Sequence, residues 1–190
     1  MKFLLLAFSI LMTGASSANA EQVSLAKAAE LGCHRIERLV TLKRIDAAFL
    51  EKFYGLKIEK LDSAEAAFRF TGFQALAADG SSRRVEILMD ANGKASAHQV
   101  TDAAEGNSPA WPQTDPVTLM EYALHYVLEN GATKPEVAPF FNNLIEGTLT
   151  QLQAANGQTV AQATFKTSES EKVLFVIQGL DGTFISAEVK

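Results

Sequence analysis

Residues 85–100 read VEILMDANGKASAHQV. Val85, Ile87 and Met89 alternate with Glu86, which is the two-residue period of a half-buried strand. Asp90-Ala91-Asn92-Gly93 follows, and Lys94 to Val100 form the returning strand. Asn92–Gly93 is a strong short hairpin signal, and the sequence predicts a type I′ turn with positive φ at both residues. The turn also sets the frame for the rest of the chain, because the same pattern occurs near the C-terminus. There KVLFVIQG, the turn Leu180-Asp181-Gly182 and TFISAEVK carry it. A shift of about 89 residues places Gly93 on Gly182, Asn92 on Asp181, Ile87 on Val176 and Val100 on Val189. The turn at 78–82 then falls on 167–171 without a gap, so a tandem repeat is expected. In the strand expected at 171–178, Val173 to Ile177 are apolar without a break where 85–89 alternate, which predicts deeper burial of the second hairpin.

Working outward, Leu25, Ala29, Cys33, Ile36 and Val40 recur every three or four residues, the spacing of an amphipathic helix. Ile45, Phe49 and Phe53 continue the stripe out of phase. The segment 23–53 reads either as one curved helix or as two joined near Thr41, with Asp46 capping the second and Tyr54–Gly55 stopping it. LKIEKL and AAFRFTGFQALA read as strands, with Gly72 a candidate bulge. Thr114 or Asp115 followed by Pro116 starts a helix over 117–129, ended by Asn130–Gly131. Phe141, Leu144, Ile145, Leu149 and Leu152 predict a third helix over 137–153.

The fold expected from these elements is α+β. Two helix-plus-antiparallel-meander units, 21–105 and 135–190, flank a Pro-rich loop and an additional central helix (106–134), all packed as one body. Residues 1–20, MKFLLLAFSILMTGASSANA, have the basic start, short apolar run and A-x-A ending of a signal peptide. Export to the periplasm or outside the cell is expected, with cleavage near Ala20 and no transmembrane segment in the mature chain. Glu30 stands three residues before Cys33 where a lipid-attachment motif needs an apolar residue, so no lipoprotein is expected.

The chain carries a net charge of −5, which becomes −6 without Lys2 and argues against nucleic-acid binding. The charge is polarised. Bases crowd the segment 34–60, whereas Lys134 is the only base between Asp102 and Glu146. The single Cys33 allows no internal disulfide and, sharing the apolar stripe, reads as a buried thiol.

Catalytic and cofactor motifs do not emerge. Cys33 and the adjacent His34 point about 100° apart on a helix, poor geometry for a thiolate–imidazole couple. His34 has Glu30, Glu37 and Arg38 for neighbours, and His125 has Glu121 and Glu129 one turn away. No HExxH or comparable set accompanies them, so no metal and no cofactor is expected. His98 reads as a surface residue. The sequence lacks G-x-S-x-G, EF-hand, Walker and dinucleotide signatures. Trp111, between Pro109 and Pro112, reads either as a cap on the core or as an aromatic anchor for a partner.

An apolar strand, a turn ending in Asp/Asn–Gly and a returning strand, present twice in an exported chain, resemble the PepSY-like and tandem β-lactamase-inhibitor-like modules. The residues that carry the likeness are 85–100 and the segment VLFVIQGLDGTFISAEV. The resemblance implies a binding or inhibitory module rather than an enzyme. Its partner is expected to be an envelope or extracellular protein, contacted through Trp111 and the hairpin tip of Asp90, Asn92 and Lys94. The alternative is a carrier of a small apolar ligand, with helices curling over a sheet lined by Phe68, Phe70, Phe165 or Phe175.

Overall fold

The computed structural model describes residues 22–103 and 109–190, so the expected signal peptide lies outside the described residues. The chain is α+β. Two helices, α1 (Leu25–Thr41) and α2 (Ala48–Glu51), precede four strands: β1 (Phe53–Lys60), β2 (Phe68–Gln74), β3 (Arg84–Met89) and β4 (Ala95–Thr101). Two more helices, α3 (Pro116–Asn130) and α4 (Ala138–Asn143), precede β5 (Leu144–Gln153), β6 (Thr159–Thr167), β7 (Val173–Gly179) and β8 (Phe184–Val189). All eight strands form one antiparallel sheet in the order β4-β3-β2-β1-β5-β6-β7-β8. β1 and β5 meet at its centre, pairing Gly55 with Thr148, Leu56 with Gly147 and Lys57 with Glu146.

The helices cover one face of this sheet. Ser24 caps α1 by accepting from Lys27 N (3.1 Å), and Asp115 caps α3 by accepting from Thr118 N (3.0 Å). Cys33, Ile36 and Leu39 of α1 and Val117, Met120, Leu124 and Val127 of α3 share one core with Phe68, Phe70, Ile87, Phe165 and Val176 of the sheet. Each such buried side chain contributes about 1.5–3 kcal/mol by leaving water. Buried Gln178 donates to Leu119 O at 2.6 Å, tying β7 to α3 through an otherwise apolar layer.

Gly32 is where α1 touches the sheet most closely. A Cβ there would lie 2.2 Å from Cδ2 of the fully buried Phe70. Alanine normally favours a helix over glycine by about 1 kcal/mol. Gly32→Ala is nevertheless expected to lower the thermal midpoint, because Phe70 has no space to turn into; a raised midpoint would show the helix–sheet spacing to be looser.

Several sequence expectations change. The segment 23–53, by contrast, takes the second of its two expected forms, two helices separated just after Thr41: α1 ends there, Lys43 takes a positive φ of 55°, and Asp46 Oδ1 accepts from Ala48 N at the start of α2 (2.8 Å). Tyr54 and Gly55 are strand residues and stop no helix. Of the helix expected over 137–153 only α4 exists, and the rest is β5. The helix over 117–129 is therefore not an addition between two units. With α4 it precedes β5–β8, in the order in which α1 and α2 precede β1–β4.

Gly72 lies in regular pairing with Leu56 and Val85 rather than in a bulge; the shifts fall at Phe53/Gly55 in β1 and Leu88/Met89 in β3. The Asn92–Gly93 turn is not type I′. Among the described residues Lys43 is the only non-glycine with positive φ, so Asn92 is not left-handed. Gly93 N donates to Asp90 O (2.9 Å), Asp90 N donates to Lys94 O (3.0 Å), and Gly93 has φ +76°. That is a type I turn closed by a left-handed glycine, a three-residue hairpin loop. The same bonds recur at Gly179, Gly182 and Thr183.

Nor does one shift carry every strand. The β2–β3 connection occupies 75–83 and the β6–β7 connection only 168–172, so the offset that superposes the hairpins fails at β2 and β6. The deeper burial expected of β7 is also absent. Leu174 and Val176 face the core, as Val85 and Ile87 do, while Val173, Phe175 and Ile177 are only half-buried on the opposite face.

Candidate functional site

Where α1 and α3 lie side by side, their polar edges meet in an antiparallel ladder. His125 Nδ1 stands 3.4 Å from Glu30 Oε1, and His34 Nδ1 stands 3.0 Å from Glu121 Oε1. The Thr118 hydroxyl lies 3.1 Å from Glu37 Oε1 and 2.8 Å from Asp115 Oδ2. His34 Nδ1 is also 3.4 Å from Glu37 Oε2, so its ring faces carboxylates of both helices. Lys27 Nζ pairs with Glu30 Oε2 and is the cation at this end of the seam.

The two kinds of side chain are buried differently. Both imidazoles are 59% exposed, whereas the Glu30 and Glu121 side chains are 4% and 10% exposed. The carboxylates thus sit under the rings. Glu121 Oε1 is buried and makes no hydrogen bond, although His34 Nδ1 lies 3.0 Å away. Burial first, then the charges of Glu37, Glu30 and Asp115, push the Glu121 carboxyl up to about 8, with Lys27 opposing.

Cys33 lies fully buried beneath the seam. Burial, and next the charge of Glu121, hold its thiol well above the ordinary range. At about pH 8.5, where a free thiol is half ionised, a small alkylating reagent is expected to leave folded protein unmodified and to label it fully in denaturant. Labelling without denaturant would show that α1 opens locally.

Along the sequence these residues form two separate clusters. His125 pairs with Glu30 rather than Glu121, and exposed Glu129 takes no part in the ladder. What was visible was the three- and four-residue spacing of Glu30, His34 and Glu37, matched by Thr118, Glu121 and His125. The missing step was that the two helices lie antiparallel with these edges together. Three of the residues, His34, Glu37 and Glu121, bring one nitrogen and two carboxylate oxygens within 4.8 Å of one another, so the seam has a donor set for a cation. His98 is exposed on β4.

The residues expected to contact a partner are not gathered in one place. The Asp90 carboxylate accepts from Asn92 N and Lys94 N (both 2.9 Å), so the turn itself uses it. The tip is docked on the start of α1: Val23 N donates to Ala91 O (3.1 Å), and a Cβ on Gly93 would strike Leu31 at 2.3 Å. Asn92 and Lys94 remain exposed. Trp111 packs partly buried against the core, its loop fastened by Gln151 Nε2 donating to Ala110 O (2.6 Å). Gln151 stands at the far end of β5, so Trp111 and the 90–94 tip lie at opposite ends of the sheet. The part of the Pro-rich loop at 104–108 lies outside the described residues. The phenylalanines expected to line a ligand cavity are also divided: Phe68, Phe70 and Phe165 are packed solid in the core, and Phe175 is on the other face.

That other face carries no helix among the described residues. Across it the register aligns Phe73, Gly55, Thr148, Thr164 and Phe175 in one row over five strands. The Phe73 ring covers Gly55 and leans on Tyr54 (ring centroids 6.0 Å apart), and Lys190 Nζ lies over the Phe175 ring at 5.6 Å. The β7 side of the face is apolar, with Val173, Phe175 and Ile177, whereas the β3 side shows Arg84, Glu86 and Leu88.

No helix of the described residues is long and apolar enough to cross a membrane. No family model, no curated protein and no solved structure matches the chain.

Proposed function

We propose that the chain is exported and works as a protein-binding module, docking an envelope or extracellular protein on the bare face of its sheet. The carrying observation is the row Phe73–Thr148–Thr164–Phe175, two aromatic rings flanking threonines on a face opposite the helices. A broad surface of half-buried aromatic and β-branched side chains on a rigid sheet supplies contact area at little entropic cost. Apolar Val173 and Ile177 extend it, and interfaces are built around such anchors inside a polar rim. The PepSY-like and β-lactamase-inhibitor-like resemblance agrees with this class of activity. Inhibition would result where the face closes over a partner enzyme's cleft.

We also infer that the two helix-plus-four-strand halves are tandem repeats. The support is the central pairing: Ile58, Phe70 and Ile87 align across β1–β3, as Leu149, Ala163 and Val176 align across β5–β7. This correspondence carries Leu56 onto Gly147, and those two residues are paired with each other, as a local two-fold axis requires.

The test is capture of envelope proteins on immobilised residues 21–190, in low and high salt, with mass spectrometry. A partner retained by the native chain and lost with Phe73→Lys or Phe175→Lys, both folded by circular dichroism, supports the sheet face. A loss of at least tenfold is expected, the size of one anchoring aromatic. If Trp111→Ala or a change at Asn92 or Lys94 abolishes capture while the sheet variants retain it, the docking surface is a loop. Reproducibly empty capture overturns the binding reading.

A further inference from the structure

We propose that His34, Glu37 and Glu121 form a binding site for a divalent transition-metal ion, Zn²⁺ by the chemistry of the donors, across the α1–α3 seam. This site lies on the helix layer, away from the sheet face proposed to dock a partner, and stands independently of that proposal.

The donor set is one imidazole nitrogen and two carboxylate oxygens, both donor types that zinc accepts, and zinc sites with three protein ligands leave a fourth position open. Zn–N and Zn–O bonds of about 2.0–2.2 Å place tetrahedral donors about 3.3 Å apart. His34 Nδ1 already stands 3.0 Å from Glu121 Oε1 and 3.4 Å from Glu37 Oε2. All three residues offer donors within 4.8 Å of one another, so closing the site asks for rotamer adjustment rather than helix movement. Ca²⁺, which takes six to eight oxygens, finds too few here.

A second observation points to a ligand. Glu121 is only 8% exposed, and its Oε1 is buried with no hydrogen bond although His34 Nδ1 lies against it. Native proteins seldom leave a buried carboxylate oxygen without a partner. This one is aimed at the other two donors, and a cation between them would satisfy it.

The surroundings suit the same ion. Glu30, Glu37, Asp115 and Glu121 gather along the seam, with Lys27 paired to Glu30 and with Arg35 and Arg38 beside His34. Thr118 braces Glu37 from α3, the kind of outer contact that orients a ligating carboxylate. Exposed His34 leaves one side open for entry, and for water or a partner's side chain in the fourth position.

The experiment uses chelator-stripped residues 21–190, titrated with Zn²⁺ by calorimetry and with Co²⁺ by visible absorption. One equivalent of Zn²⁺ is expected to bind, and Co²⁺ is expected to show the strong visible bands of a tetrahedral ion. His34→Ala, Glu37→Gln and Glu121→Gln should each weaken Zn²⁺ binding at least tenfold, while His98→Ala on β4 leaves it unchanged. Glu37→Gln serves as the decisive variant if either of the others fails to fold. No saturable binding overturns the site. So does binding that the seam variants leave intact, or that His98→Ala weakens equally.

Discussion

Gly55→Ala is expected to cost about 3 kcal/mol, and Gly55→Val more, because the added carbon has nowhere to go. An ideal Cβ at Gly55 would lie 2.5 Å from Gly147 O and 3.2 Å from Thr148 Cα. Both are backbone atoms of the strand to which β1 is hydrogen-bonded, so no side chain can swing aside. The strands must separate instead, and they do so where the two four-stranded halves are joined by three registered pairs. For a chain of this size about 3 kcal/mol corresponds to roughly 6–12 °C in thermal midpoint, readable by circular dichroism. Gly72→Ala is the control. Its Cβ would strike Ile36 Cδ1 at 2.5 Å, the end of a flexible side chain, and a smaller loss is expected. Equal midpoints for Gly55→Ala and the native chain would mean that β1 and β5 do not approach this closely in solution.

The elements that were legible in the sequence carry their signal within one segment. Asp115–Pro116 marks the start of α3, and the alternation from Val85 to Met89 marks β3, whatever packs against them. Residues 137–153 misled because Phe141, Leu144, Ile145, Leu149 and Leu152 are spaced as on a helix. In the sheet, the irregularity between Leu144 and Glu146 shifts the alternation, so that Leu144, Gly147 and Leu149 are the buried positions. A glycine contributes nothing to a hydrophobic pattern, and without it the strand period disappears. The run from Val173 to Ile177 was ambiguous for another reason. Apolar residues on both faces of a strand fit either two covering layers or one bare apolar face, and only the presence of a second layer decides. The seam was legible by halves. Each helix displays its acid and histidine spacing, but nothing local states that Glu121 will meet His34 from the opposite helix.

That meeting makes stability fall as pH rises. In the metal-free protein, held in chelator, the Glu121 carboxyl titrates near 8 when folded against an ordinary value of 4.5. Its surroundings account for the direction: burial, then Glu37 and Glu30 of α1 and Asp115 of α3 favour the neutral acid, and Lys27 opposes them. His34 and His125 face the same seam from its exposed side. The folded state therefore holds a proton that the unfolded state releases. The stability this confers is fully present below pH 4.5 and is lost as pH rises from 4.5 through about 8. At about 1.4 kcal/mol per pH unit, the ceiling across that window is about 5 kcal/mol. Glu121→Gln keeps the shape of the neutral acid and cannot ionise. Thermal midpoints measured from about pH 5 to about pH 9 should therefore diverge, the variant gaining on the native chain by on the order of 3 °C per pH unit. The gap should stop widening above about pH 8, where Glu121 is ionised in both states. Parallel curves would show that Glu121 turns out to solvent and that the two helices are not held edge to edge. Zn²⁺ at saturation should flatten the native curve, because the ion takes over the charge that the proton neutralises.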